Sequence, residues 1–588
     1  GGGSWHPPKL AAFRIGAMEM ERRRRLFAAT FFFLIGFCCS ERAPNYSFVR
    51  QASASPDNAS YDYIVVGGGT AGCPLAATLS QRFKVLLLER GGSPYGNPNI
   101  TELGSFGAPM GDRSPASPAQ RFVSEDGVIN ARARVLGGGS CLNAGFYTRA
   151  AREYVEAAGW DGGLVNRSYG WVERLVAFQP PLRQWQSAVR DGLVEVGVLP
   201  YNGFTYDHLT GTKVGGSIFD SRGRRHTAAD LLQYASPQGL TVLLHATVHR
   251  ILFRTKGRRR PQAHGVVFRD QAGVKHRAYV NYGGEVLVSA GALGSPQLLM
   301  LSGIGPAAHL RAHRIPVVVD QPMVGQGMSD NPMNAIYIPS PLPVEVSLIQ
   351  VVGITRYGTY IEAASGENFA GASPQRDFGM FSPKIGQLAT VPPKQRTPEA
   401  IAEAVRVMEG LQEEAFRGGF IIEKIMGPLS RGHLELRSRD PKDNPAVTFN
   451  YFQDAEDLRR CVAGVRVIEA VIRSRAFKSF RYDYLSLQNL LNMTSGFPVN
   501  MRPRFDNTTA TPEQFCRDTV MTIWHYHGGC QVGRVVDSNH RVLGVDALRV
   551  IDGSTFNYSP GTNPQATVMM LGRYMGIRLM TERLSRNK

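Results

Sequence analysis

The chain has 588 residues, 43% of them hydrophobic, with 64 glycines and a formal net charge of +18. That length supports more than one domain with a sizeable core. The basic residues are scattered apart from Arg22–Arg25 and Arg258–Arg260, and no nucleic-acid motif accompanies them, so the charge does not mark a nucleic-acid binder.

Residues 1–17 hold no Met and are read as lying upstream of the start, with Met18 or Met20 as initiator. Arg22–Arg25 lead into the apolar run Leu26–Cys39, which is too short to span a bilayer comfortably. The pattern predicts a signal peptide over 18–40 and a secretory protein, in the ER lumen or outside the cell, with no membrane span in the mature chain. Sequons begin at Asn45, Asn58, Asn99, Asn166, Asn492, Asn507 and Asn557, as in an ER-processed glycoprotein. Asn557 is expected to stay bare, being close to the predicted cofactor pocket. Cleavage near Ser40 leaves Cys73, Cys141, Cys461, Cys516 and Cys530. Cys73 falls in a predicted buried helix and Cys141 in a glycine loop, so Cys461–Cys516 is the expected disulfide. Residues 41–60 are polar and read as a flexible lead-in.

The stretch from Tyr61 to Glu89 carries the strongest signal. An apolar strand runs into Gly67-Gly-Gly69-Thr70-Ala-Gly72, then a helix, then a second strand ending at Glu89. This is a dinucleotide-binding βαβ unit. Gly67 permits the tight turn and Gly69 lets backbone approach a pyrophosphate at the helix N-terminus. Gly72 lets helix and strand pack, and Glu89 can accept from a ribose diol. Downstream, 241–305 alternates as strands before entering a helix, and Lys256–Pro261 reads as a hairpin loop. Residues 540–583 return to strand, loop and helix.

Five motifs then carry a family resemblance. They are Arg134–Asn143 with Tyr147 and Arg149, Gly291–Gly305, Val324–Asn331, Trp524-His-Tyr-His-Gly-Gly, and Val550–Gln565. Together with the βαβ unit they resemble the glucose–methanol–choline (GMC) flavoprotein oxidoreductases, in the plant branch that includes HOTHEAD-type proteins and flavin-containing mandelonitrile lyases. The resemblance implies an α/β fold: a Rossmann-like FAD-binding domain with an interleaved α+β substrate domain on an antiparallel sheet. The FAD-binding domain would comprise 61–150, 236–330 and 516–585, and the substrate domain 151–235 and 331–515.

The resemblance also implies FAD, a small-molecule alcohol substrate, and His525 as catalytic base assisted by Asn563. The base would take the hydroxyl proton as hydride leaves carbon for the flavin, a task suited to neutral imidazole. His525-x-His527 could suggest metal, but no further ligands are spaced nearby, so no metal is expected; on a strand the two would share a face. Cofactor contacts would come from Gly67, Gly69, Thr70, Gly72, Glu89, Arg90, Val135, Gly138, Ser140, Asn143, Ala144, Val248, Trp524, His525, Asp552, Gly553, Asn563, Pro564 and Gln565. Some members bind flavin covalently through a His at the position of Leu142, so FAD here is expected to be noncovalent. HOTHEAD-type proteins further imply long-chain ω-hydroxy fatty acids, oxidised to ω-oxo acids for cuticle or pollen-wall polymers. Two alternatives stand beside this reading: hydroxynitrile lyase, which the departure to Asn563 disfavours because the lyases carry His there, and a non-catalytic secreted flavoprotein.

Overall fold

The computed structural model describes residues 1, 44–56, 58–112, 114–366, 399, 418–496, 499–503, 511–561 and 563–586. The signal peptide read over 18–40, the sequon at Asn507 and Thr562 lie outside the described residues. Residues 46–588 form one compact unit.

Its first sheet grows from the βαβ unit. The strand Ala59–Val66 lies parallel to Val85–Leu88, with Val66 opposite Leu88. Outward from Val85–Leu88 come Leu240–Leu244 and then Val49–Gln51, also parallel. On the other side Lys275–Val288 pairs with Ala59–Val66, and its last residues also hold Leu548–Val550. An antiparallel arm, Gln262–Arg269 and Thr247–Arg254, completes the sheet and places the Lys256–Pro261 loop at a hairpin. Central strands of continuous Val, Ile and Leu are what a sheet covered on both faces requires. One cover is the helix Gly72–Leu79, every residue of which is buried. Against it runs the C-terminal helix Gln565–Arg586, where a Cβ at Gly572 would stand 2.2 Å from the Ala71 carbonyl oxygen. Close packing of these two helices therefore depends on that glycine.

Residues 46–60 correct the expectation of a flexible lead-in. Val49–Gln51 is the edge strand just described, and the rings of Tyr46 and Phe48 stack at 5.1 Å. Two aromatics anchor a segment whose polar average hid them. The sequon residues Asn99, Asn166, Asn492 and Asn557 are all exposed.

The second sheet has seven strands, in the order Met521–Thr522, Pro332–Pro339, Gly418–Ile425, Thr359–Ser365, Val351–Ile354, Gly211–Val214 and Tyr201–Phe204. All neighbours are antiparallel except the last pair. Gly418–Ile425 and Thr359–Ser365 are buried along their whole length. The helix Ala455–Arg473 packs on one face of both. The other face carries Glu362 and Lys424 toward the cavity described below. Among the described residues no helix is long and apolar enough to cross a membrane.

Cys461 on that helix is bonded to Cys516 on the helix Pro512–Asp518, while Cys73, Cys141 and Cys530 are buried free thiols. The bridge closes a loop with a sequence separation of 55. Chain entropy alone then gives it about 4 kcal/mol. Peptide mapping without reduction should recover the two cysteines joined, and Cys461→Ala/Cys516→Ala should unfold at markedly lower denaturant; two alkylated thiols in the native protein would contradict the bridge.

Candidate active site

The βαβ glycines make a channel walled by bare backbone. Gly67 has φ +106°, and a Cβ there would meet the Ser289 carbonyl oxygen at 2.4 Å. A Cβ on Gly72 would stand 1.9 Å from the Gly67 oxygen, so this glycine serves packing and lies behind the channel. Opposite Gly69 comes Gly138, with φ +61°, whose Cβ would lie 2.7 Å from Gly69 Cα. Glu89 turns back onto the glycine turn. Its Oε2 accepts from Gly68 N–H at 3.0 Å and its Oε1 from Gly91 N–H at 2.7 Å. Both oxygens keep a lone pair for a ribose diol.

A cavity of about 320 Å³ follows this channel to His525 and Asn563. Apart from Gly72, every cofactor-contact residue expected from the sequence lies in its wall. Several of these spend their side chains on the protein. Arg90 donates to Gln120 Oε1 at 2.6 Å and to the Ala133 carbonyl at 2.7 Å. Asn143 Nδ2 donates to Gln565 Oε1 at 2.8 Å, and Gln565 Nε2 donates to the Phe146 carbonyl at 2.6 Å. Asp552 accepts from Gly291 N–H, Ser295 Oγ and Ser554 N–H, and burial raises its pKa. These groups shape the wall and leave backbone to face a ligand. Trp524 differs: it has φ +57°, and its buried Nε1–H has no acceptor among the described residues.

Sequence reading missed Arg225. Its buried guanidinium donates to the carbonyls of Ile100 at 2.9 Å, Ser140 at 3.2 Å and Asn143 at 2.6 Å. It thereby holds the glycine loop against the channel. Arg225, in the run Arg222-Gly-Arg224-Arg225, carries no sequence signal that would have revealed this.

His525 is 8% exposed and sits in an irregular segment, not a strand. His525 lines the cavity and His527 does not, so the two do not share that face. His527 packs away from the cavity with Nδ1 3.0 Å from the His525 carbonyl. Asp330 holds the His525 backbone: its Oδ1 accepts from His525 N–H at 3.0 Å and its Oδ2 from Thr522 Oγ1 at 2.6 Å. Burial outweighs these bonds and pushes the Asp330 carboxyl up to about 7. The Asn331 side-chain amide lies 3.2 Å from His525 Nδ1, which leaves Nε2 for the cavity. Burial, then the nearby Lys424 charge, then His527 hold the His525 pKa well below its ordinary value.

Asn563 is tied to groups that no motif marks. Lys424 Nζ donates to Asn563 Oδ1 at 3.0 Å and to Glu362 Oε2 at 2.6 Å. Lys424 and Glu362 side chains are both 0% exposed, and Glu362 is in the cavity wall. Because the ammonium demands an acceptor, the Asn563 amide oxygen faces Lys424 and its NH₂ faces elsewhere.

Residues 61–333 and 428–572 match the GMC oxidoreductase family. Protein HOTHEAD of Arabidopsis thaliana is 55% identical over 92% of this chain and 93% of its own length. The (R)-mandelonitrile lyase-like protein of the same plant is 50% identical, over 91% and 93%. Sinalpyl alcohol oxidase Nec3 of Nesocodon mauritianus is 42% identical, over 91% of each chain. The fold matches crystalline pyridoxine 4-oxidase from Mesorbium loti with TM-score 0.69 and 21% identity, over 88% of this chain and 99% of that one. The chain belongs to the GMC oxidoreductase family. It is an FAD-dependent oxidoreductase acting on alcohols, and its glycine-walled channel, Glu89 and the indole N–H fit that cofactor.

The close approach of Gly69 and Gly138 sets the test. Gly138→Ala should purify folded but with little flavin, because its Cβ invades the channel wall. Acid precipitation of the wild-type protein should release all of its flavin. Full occupancy in the variant, or flavin in the pellet, would contradict the channel or the noncovalent binding.

Proposed function

We propose that the protein oxidises a primary alcohol to an aldehyde, with His525 Nε2 as the base and the Asn563 amide N–H orienting the substrate oxygen. The observation that carries this is the pairing of a buried neutral imidazole with an amide whose oxygen is already occupied by Lys424. Bound FAD supplies the acceptor for the hydride. For Nε2 to accept the hydroxyl proton, Nδ1 must carry hydrogen and donate to the Asn331 amide oxygen, which rotation of that amide provides. Asp330 keeps the His525 backbone in place while the ring changes charge. The amide of Asn563 polarises the substrate oxygen without titrating.

For the substrate we propose a long-chain ω-hydroxy fatty acid that becomes an ω-oxo acid. Support comes from the similarity to Protein HOTHEAD and from apolar wall residues Leu142, Phe146, Ile349 and Ile523. We further propose that the chain enters the secretory pathway by its residues 18–40. Hydroxynitrile cleavage, suggested by the mandelonitrile lyase-like relative, would release cyanide from mandelonitrile without net flavin reduction.

A base works deprotonated, so a lowered pKa extends its active range to lower pH. Flavin reduction by alcohol should therefore show no acid limb near 6.5, the ordinary histidine value. His525→Ala should keep its FAD and reduce it about 10²–10⁴-fold more slowly, with the loss shrinking at high pH. Wild-type rates in this variant at neutral pH and full flavin occupancy would refute the base.

A further inference from the structure

The antiparallel arm of the first sheet gathers basic residues that lie apart in the sequence. Between Thr247 and Val280 the chain carries nine of them and one acid. Strand pairing sorts them. One face of the arm holds the rows Val248–Phe268–His276 and Ile251–Val266–Ala278, all buried, against which the helix Gly291–Leu301 packs. The other face holds the row Arg250–Val267–Arg277 and, beside it, the row Thr247–Arg269–Lys275. Arg250, Arg269, Lys275 and Arg277 therefore share one face, and all four are exposed. The hairpin turn adds Lys256 and Arg258–Arg260, exposed as well. Val248, on the buried face, lines the cavity, so the basic face points away from it.

Stability does not explain this arrangement. Arg269 stands directly opposite Lys275 in the ladder, and like charges in that position destabilise a sheet. None of the four forms an ion pair with another described residue. The one acid of the arm, Asp270, is engaged elsewhere. Its Oδ2 lies 3.1 Å from His276 Nε2 on the buried face, and its Oδ1 accepts from Val274 N–H at 2.8 Å. Neighbouring strands run about 4.8 Å apart and alternate residues of one strand about 6.8 Å apart, so the face is a lattice of cations at close spacing. Such a lattice is matched by a polymer that repeats negative charge along its length, and not by a single small anion.

We propose that this basic face, together with the hairpin turn Lys256–Arg260, docks a carboxylated polysaccharide, a chain of uronic-acid units. The compartment selects that polymer, and the selection rests on the secretory reading given above. A chain led into the secretory pathway does not meet the cytoplasmic leaflet, where anionic lipids concentrate, and does not meet nucleic acid. Residue type agrees with a carboxylate partner. Arginine outnumbers lysine on the face and turn, and a planar guanidinium takes a carboxylate through two parallel hydrogen bonds. Because the face points away from the cavity, docking holds the enzyme on the polymer and leaves the flavin site as it is.

The test measures binding of the FAD-loaded full chain, at low salt, to polygalacturonate, to its methyl-esterified form, to phosphatidylserine vesicles and to duplex DNA. Polygalacturonate should bind and its neutral ester should not, and added salt should release the chain, because exposed charges are screened. The variant Arg250→Gln/Arg269→Gln/Lys275→Gln/Arg277→Gln should bind polygalacturonate about ten-fold or more weakly, the loss that removing four exposed ion pairs implies. A control takes the same charge from exposed positions elsewhere, as Arg82→Gln/Arg167→Gln/Arg356→Gln/Lys478→Gln, and should bind nearly as wild type does. The face variant should keep its flavin and its rate of flavin reduction, and should unfold at no lower temperature, since it relieves like-charge repulsion; its weak binding is then no folding defect. Equal losses in the two variants would reduce the effect to net charge and overturn the face. Tighter binding of vesicles or DNA than of polygalacturonate would overturn the polysaccharide. Selective polygalacturonate binding by a chain found in the cytosol would sink the secretory reading and leave the docking face standing.

Discussion

Gly69 and Gly138 meet almost backbone to backbone, and the rest of the molecule is arranged to make that meeting possible. A βα turn and a distant loop can approach this closely beside a cofactor channel only if neither carries a side chain there. Gly67 and Gly72 then let the turn close on its strand, and the fully buried helix Gly72–Leu79 aims its N-terminus at the channel. The C-terminal helix reaches that helix through Gly572. Arg225 supplies the opposing tie, using three carbonyls to keep the second wall from drifting. Removing one side chain's worth of space at the contact would be felt in cofactor retention before it was felt in folding.

On the substrate side the governing term is electrostatic. A buried ion pair rarely adds net stability, because two desolvation penalties offset the attraction. Lys424–Glu362 is therefore better understood by what it does to its neighbours. It fixes which end of the Asn563 amide faces Lys424, and its positive member disfavours a second cation at His525. The histidine is thereby held toward its neutral form, as the proposed base role requires. Asp330, itself driven toward protonation by burial, holds that histidine by the backbone and so leaves the ring free to change charge.

Much of this was legible in the chain. The strand, glycine turn, helix and terminal acid from Tyr61 to Glu89 follow one another with fixed spacing, and each glycine has a steric reason readable from sequence. The five later motifs located His525 and Asn563. What escaped was whatever depends on contacts between distant strands. Glu362 and Lys424 lie on strands buried on both faces, so no alternation of polar and apolar residues marks the side that faces the cavity. Arg225 acts chiefly through backbone carbonyls. Tyr46 and Phe48 were lost in a polar average, and the left-handed conformation of Trp524, just before His525, is one that residue type does not announce.

The role of this site is decided by whether an alcohol gives two electrons to the flavin bound there. Anaerobic mixing of the FAD-loaded protein with a long-chain ω-hydroxy acid deuterated at the carbinol carbon tests it most directly. Alcohol oxidation here should give one equivalent of aldehyde for each flavin bleached, with bleaching slowed by deuterium because the C–H bond breaks in that step. Aldehyde formed without bleaching, or an unreduced flavin throughout a panel of primary alcohols, would contradict it.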